Sequence, residues 1–305
     1  MLKKHIVRLV ILVGIICSYF AILRYQDIRI ETEMTVNPFQ KHQNTTVYAA
    51  YSSDGTVPDY VVENLRLLKE VSPNIVYITD NPIRRGDIGK IKHYITHLIA
   101  LRHGEYDWGS YKRGYNWLKT NNYLTLADKL ILANDSVLTV VPSLTPIFDK
   151  MSQDEADYWG ITANKDGTYH LQSYFLVFRP KVYNHKGFAN YLNNVKKQST
   201  GLEVAYHYEV PFTTYLHALG YKSAAYIPYK DIKGLELNDK HCYPLTMLSK
   251  YHQPFLKMRT FTNRLIVKEP RRLVFAWLKK NNPTAYQNLI THLTHIKSPY
   301  LEENK

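Results

Sequence analysis

The sequence predicts an α/β fold: a mainly parallel sheet flanked by helices, preceded by one N-terminal membrane helix. Three observations carry this expectation. Short β-rich runs alternate with segments of helical apolar spacing from residue 45 to about residue 227, the pattern of βα units. One run, Lys129, Leu130, Ile131, Leu132, Ala133, is almost wholly apolar, as strands covered on both faces are. Residues 6–23 form an apolar stretch broken only by Arg8, close to the ~20 residues a spanning helix needs.

Composition bounds the alternatives. The chain has 305 residues with 45% hydrophobic and 13% aromatic residues, which excludes dominant disorder. Two cysteines, Cys17 and Cys242, exclude a disulfide scaffold and a Cys-rich zinc site. The net charge of +13 points to an anionic partner: nucleic acid, a phosphorylated small molecule or an anionic membrane. Tyr is over-represented, at 26 residues. Tyr-rich surfaces suit sugars, but compositional bias that also enriches Lys, Asn and Ile is the simpler reading.

At the N-terminus, Leu9 to Leu23 carries no charge, and Arg8 can snorkel to the interface. No small-residue cleavage site follows; the next residues are Arg24, Tyr25, Gln26 and Asp27. An uncleaved anchor over 1–26 is therefore favoured over a signal peptide or an interfacial helix. Lys3, Lys4 and Arg8 precede the run, which places the N-terminus in the cytoplasm and the rest of the chain on the far side. Residues 27–44 read as a polar linker.

The globular part, 45–250, is read in order. Strands are expected at 45–51, 74–79, 96–101, 129–133, 157–162, 171–178 and 224–227. Helices are expected at 58–70, where Pro58 stands near the first turn, and at 107–120, 144–151, 186–197 and 203–219. Ligands on such sheets bind beyond the carboxyl ends of the strands. The residues there are Asp54-Gly55, Asp80-Asn81-Pro82 and Asn134-Asp135-Ser136. The first two suit turns. The third follows a strongly apolar strand and precedes Val137, Leu138, Val140 and Val141. A carboxylate there is costly without a partner; a metal ion bridging a diphosphate is one partner, and a turn cap is the alternative. Asp107 or Ser110 fits a helix start. By the strand period of two, His170, Gln172 and Tyr174 share one face.

At these residues the chain resembles the rhamnan synthesis protein F family of bacterial polysaccharide glycosyltransferases. The matching pieces, in order, begin with Tyr51-Ser52-Ser53-Asp54-Gly55 and Asp59-Tyr60-Val61, then Tyr106-Asp107-Trp108-Gly109-Ser110-Tyr111-Lys112 and Leu130-Ile131-Leu132-Ala133-Asn134-Asp135-Ser136-Val137. They continue with Asp157-Tyr158-Trp159-Gly160-Ile161-Thr162, His170-Leu171-Gln172-Ser173-Tyr174-Phe175, Tyr208-Glu209-Val210 and Pro254-Phe255-Leu256-Lys257. The resemblance implies a GT-A-like, Rossmann-type nucleotide-diphospho-sugar transferase of cell-surface polysaccharide or lipopolysaccharide assembly. It implies transfer of rhamnose or a similar sugar to a glycan or lipid-linked acceptor. Asn134-Asp135-Ser136 looks like the DXD-type motif that holds Mn²⁺ or Mg²⁺, with Asp135 the metal ligand. Two departures stand out: His103-Gly104-Glu105 replaces the family's Asn-x-Gly, and the turn offers one carboxylate where DXD offers two. A basic side chain in the ion's place fits the second departure.

On that footing Asp135, Glu209 and Asp107 form the expected catalytic set. Glu209 is the candidate general base, and is equally a partner of a helix dipole. Asn134 and Ser136 assist Asp135 at the diphosphate. Asp54 and Asp80 are expected at the nucleoside, and His170, Gln172 and Ser173 in the sugar and acceptor cleft. The tail, 251–305, reads as a basic helical extension packed on the domain. Lys257, Arg259, Arg264, Lys268, Arg271, Arg272, Lys279 and Lys280, with apolar Val274, Phe275, Trp277 and Leu278, suit an anionic lipid or lipid-diphosphate acceptor. No nucleic-acid module is present, so nucleic acid is not an expected partner. A non-catalytic membrane-anchored sugar-binding protein that kept the fold is the alternative. A cytosolic donor would place the domain inside, against the charge rule.

Overall fold

The computed structural model describes residues 2–165, 167–235, 242–262 and 269–304, with backbone alone for 2–11, 14 and 302–304. Eleven strands build and flank the site: β1 Thr32–Thr35, β2 Gln43–Ala50, β3 Asn74–Thr79, β4 His97–Ala100, β5 Ala127–Asn134, β6 Val137–Thr139, β7 Tyr158–Asn164, β8 His170–Leu171, β9 Phe175–Phe178, β10 Ser223–Ile227 and β11 Phe255–Lys257. Nine of them form one sheet in the order β8-β7-β9-β5-β2-β3-β4-β1, with β10 also paired to β7. Strands β6 and β11 form a separate ladder.

The sheet is mixed rather than mainly parallel. Its centre, β5-β2-β3-β4, is parallel, whereas β9 runs antiparallel to both β5 and β7, and β1 runs antiparallel to β4. Chain length explains the difference. Parallel neighbours need a crossover of a dozen or more residues, and only ten residues separate Asn164 from Phe175. The strand expected over 171–178 breaks in two, because Gln172, Ser173 and Tyr174 leave the extended run. The strict alternation behind the shared face expected for His170, Gln172 and Tyr174 ends there, yet Gln172 Oε1 and the Tyr174 hydroxyl still meet at Thr162 Oγ1, at 2.7 and 2.8 Å. Within the segment read as a linker, β1 forms a sheet edge.

Alternation along the central strands sorts two cores. Tyr48, Ala50, Ile75, Tyr77, Ile131 and Ala133 face helix Asp59–Val71 and the C-terminal helices. Val47, Ala49, Val76, Ile78, Leu130 and Leu132 face helix Tyr106–Thr120 and the elements after β9. Much of the Tyr excess is core. Tyr60, Tyr111, Tyr115, Tyr158 and Tyr183 are buried, and each donates its hydroxyl to a main-chain carbonyl. An apolar ring with a satisfied polar tip is the cheap way to bury a phenol.

Asn64 ties helix Asp59–Val71 to β6. Its amide donates to the Val137 carbonyl at 2.7 Å and the Tyr48 hydroxyl at 3.2 Å, and its Oδ1 accepts from Thr139 N at 2.9 Å and Oγ1 at 2.7 Å. Asn64→Ala leaves these buried groups unpaired and is expected to destabilise the fold by about 2–4 kcal/mol. Urea unfolding of the two proteins measures it.

Helix Leu2–Asp27 continues from the apolar stretch, with Leu12, Ile15, Tyr19 and Phe20 exposed. Among the described residues no helix is long and apolar enough to cross a membrane, so the expected anchor is not supported. The side chains of 6–11 and 14, within that expected span, lie outside the described ones. In the tail, Val274, Phe275 and Leu278 are buried in the core beneath helix Pro283–His295 and are not available to lipid. Arg271 stacks on the Tyr300 ring at 3.8 Å. Arg264 and Lys268 lie outside the described residues.

Candidate active site

Parallel register aligns the ends of the central strands. Ala50 pairs Thr79, Thr79 pairs Ala100, and Ala49 pairs Asn134. The next residues, Tyr51, Asp80, Leu101 and Asp135, therefore share one edge of the sheet. A cavity of about 590 Å³ opens there, lined by Tyr51, Asp80, Arg102, Tyr106, Asp107, Asn134, Asp135, Ser136 and Lys197. A second cavity of about 930 Å³ shares Tyr51, Asp135 and Ser136 and continues to Asp54, Lys257, Arg259 and His295. Asp135 stands where the two meet.

The Asn134-Asp135-Ser136 turn is tightly built. Asn134 Oδ1 accepts from Ser136 N at 3.1 Å and Oγ at 2.6 Å, and Asn134 Nδ2 donates to Asp107 Oδ2 at 3.0 Å. The Asp135 amide donates to the Ala49 carbonyl at 3.0 Å, and Asp135 Oδ2 accepts from Tyr51 N at 2.8 Å. Desolvation, with the Asp107 charge beside it, pushes the Asp135 carboxyl up to about 7. Desolvation, with Glu209 nearby, lifts Asp107 to about 6. Among the described residues no cationic side chain forms an ion pair with Asp135, so the turn presents half-buried acid short of positive charge.

Glu209 lines neither cavity but lies close enough for its charge to act on Asp107 and Lys257. It sits at the end of a π-helical turn, Ala205–Glu209, just before helix Val210–Ala218. Such turns are frequent at functional sites. Glu209 Oε2 accepts from Ser173 N at 3.1 Å and from the Ser173 hydroxyl, and His170 Nε2 stands 4.0 Å from Oε1. Lys257, at the end of β11, joins the two groups. Its Nζ donates to Ser136 Oγ at 3.3 Å, and Asp107 and Glu209 both bias its charge.

The other expected residues are placed as follows. Asp80 lines the first cavity, where Oδ1 accepts from His103 N and Gly104 N, each at 2.7 Å. Gly104 takes φ +70, a conformation that favours glycine; this is how His103-Gly104-Glu105 closes its loop. Asp54 lies in the second cavity, away from the first. Burial opposes its ionisation, but bonds from Thr56, Ser52 and His295 hold it well below the usual carboxylate range. His295 Nε2 approaches Asp54 Oδ2 at 2.9 Å and Arg84 approaches it at 3.3 Å, so Asp54 ties the turn to the C-terminal helix. Gln172 is buried with Oε1 accepting from Thr162 Oγ1 at 2.7 Å, outside both cavities. His170 and Ser173, like the Glu209 they approach, line neither cavity.

Sequence reasoning did not place Tyr51, Arg102, Lys197 and Lys257 at the site. Lys257 stood out in the sequence as a basic residue and as the end of the family-like piece Pro254-Phe255-Leu256-Lys257; the register Lys257↔Val137 is what brings it beside Ser136.

The rhamnan synthesis protein F family matches residues 75–303. The chain belongs to that family. The match spans β3 to the C-terminal helices and so contains Asp107, Asn134-Asp135-Ser136, Glu209 and Lys257. The protein y4gN of Sinorhizobium fredii is 23% identical over 167 residues, 53% of this chain. The aligned region spans 43% of that relative's length. Among solved structures, core-mannan synthase A of Aspergillus fumigatus in its Mn/GDP form aligns with TM-score 0.36 at 9% identity, over 65% of this chain and 76% of that one. GlyE of Streptococcus pneumoniae aligns with TM-score 0.40 at 12% identity, over 83% of this chain and 64% of that one. The galactosyltransferase LgtC aligns with TM-score 0.31 at 16% identity, over 54% and 70%. All three are distant likenesses.

Proposed function

We propose that this rhamnan synthesis protein F family member is a glycosyltransferase that moves a sugar, rhamnose or a similar hexose, from a nucleotide-diphospho-sugar to a glycan or lipid-linked acceptor in polysaccharide synthesis. The observation that carries the reading is Asp135: a desolvated carboxylate at the end of a central parallel strand, at the mouth of a cavity large enough for a nucleotide. Family membership supports the same chemistry.

The nucleoside end of the donor occupies the first cavity, over Asp80, Arg102 and Gly104, with the diphosphate directed to Asp135 and Ser136. Among the described residues no group of three or more His, Cys, Asp or Glu is placed to hold a metal by itself. The chemistry of Asp135 nonetheless fits Mg²⁺ or Mn²⁺, since such ions take one or two protein carboxylates and complete their shell with substrate phosphates and water. Asp135, steadied by the Tyr51 amide, would be the protein ligand of such an ion, which would supply positive charge for the diphosphate.

Glu209 accepts the proton of the acceptor hydroxyl. The acceptor oxygen forms the new bond to the anomeric carbon, and the bond to the diphosphate breaks with its electron pair going to the diphosphate. Ser173 fixes Glu209 for this by donating through both N–H and hydroxyl. Asp107, held by Asn134 and the Trp108 amide, presents its carboxyl to the sugar hydroxyls.

Ligand-dependent melting across a panel of nucleotide sugars tests the donor reading. One of them is expected to raise the melting temperature in proportion to the logarithm of its concentration, and the Asp135→Ala variant to lose most of that rise. A panel that leaves the melting temperature unchanged overturns it.

A further inference from the structure

We infer that Lys257 is the protein's own cation for the departing diphosphate, a contact that rests on the donor reading above and extends it to a residue on a separate ladder. Antiparallel pairing of β11 with β6 sets Lys257 against Val137, next to the Asn134-Asp135-Ser136 turn. Nζ reaches Ser136 Oγ at 3.3 Å and lies 4.1 Å from the centroid of the Tyr174 ring. The side chain is half-buried and lines the second cavity at the point where both cavities share Asp135 and Ser136.

Among the described residues Lys257 forms no ion pair. The nearby carboxylates are already engaged: Glu209 by Ser173, and Asp107 by Asn134 and the Trp108 amide. Desolvation lowers Lys257 to about 8, with Glu209 and Asp107 opposing the fall, so it stays largely charged at neutral pH. A desolvated cation with one long hydrogen bond and an aromatic face is incomplete until an anion arrives. Ser136, which Lys257 touches, adjoins Asp135, so the anion that completes it is the phosphate directed to that turn. The Lys257 ammonium, fixed by Ser136 and the Tyr174 ring, then stabilises the departing charge at a set position.

Calorimetry in EDTA, on the full chain, tests this with UDP, GDP, CDP and dTDP against the matching nucleosides. Metal is absent, so a preference for the diphosphate must come from protein cations. Wild type is expected to bind one diphosphate at least about tenfold more tightly than its nucleoside. Lys257→Met is expected to weaken the diphosphate about 10–100-fold and leave the nucleoside unchanged, while Lys257→Arg keeps most of the preference. Equal diphosphate binding by wild type and Lys257→Met overturns the role of Lys257 while leaving the donor reading intact. A wild type that binds nucleoside but shows no diphosphate preference in EDTA overturns it without any variant. Failure of every diphosphate and nucleoside to bind removes the donor reading, and this inference with it.

Discussion

Asp135→Ala is expected to abolish sugar transfer, lowering kcat by about 10³-fold or more, with the fold intact. The carboxylate is held by main-chain donors, Tyr51 N foremost, and its removal frees no buried side-chain partner inside the core. It removes the one acid at the mouth of both cavities. Asp135→Asn separates catalysis from stability. The carboxyls of Asp135 and Asp107 titrate near 7 and 6 in the folded chain, above the unfolded value of 3.8. Their contribution to stability is therefore fully present below about pH 4 and is lost as pH rises through 6 and 7, where the unfolded chain sheds these protons more readily. Asn at 135 removes most of that loss. At pH 8 the inactive variant is expected to be more stable than wild type, on the order of 2 kcal/mol, a rise in Tm of roughly 3–6 °C. At pH 4 the difference disappears. A site that gives up stability for charge behaves this way.

Glu209→Gln is expected to lower kcat by about 10²–10⁴-fold while donor affinity stays within a factor of two. Glutamine keeps the size and can still accept from Ser173, so the π-helical turn and the start of helix Val210–Ala218 persist. What is lost is the capacity to take the acceptor proton. Ser173→Ala leaves the carboxylate in place but loosens it, and a smaller fall, about tenfold, follows. Stopped-flow measurement of transfer beside equilibrium donor binding separates the two effects. A Glu209→Gln enzyme with full kcat assigns Glu209 to the helix N-terminus alone.

The parts of the fold written in contiguous apolar runs were legible. The strand over 74–79 appears with those bounds, and the helix over 107–120 begins one residue earlier, at Tyr106. The Asn134-Asp135-Ser136 turn was legible for the same reason, since polar residues closing a buried strand are out of place without a role. What depends on chain return was not. The break at 172–174 and the antiparallel β9 follow from a connection too short for a crossover, which side-chain period does not report. Asp54 looked like a nucleoside contact because it follows a strand; its tie to His295, 241 residues away, is a tertiary fact. Lys257 stands 121 residues from the Ser136 it meets; the family-like piece that it ends set it apart from its basic neighbours but did not say what it meets. Of the 26 tyrosines, which resemble a sugar-binding surface in composition, eight are buried in the packing around the sheet.

Donor turnover decides most directly whether this cleft is a transferase site. Purified full chain, supplied with nucleotide sugars, Mn²⁺ or Mg²⁺ and a polysaccharide or lipid-linked acceptor fraction, is expected to release free nucleoside diphosphate from one donor, to release it faster with acceptor, and to lose that release on Asp135→Ala. Release that is unchanged by Asp135→Ala, or none from any nucleotide sugar with acceptor present, would contradict it.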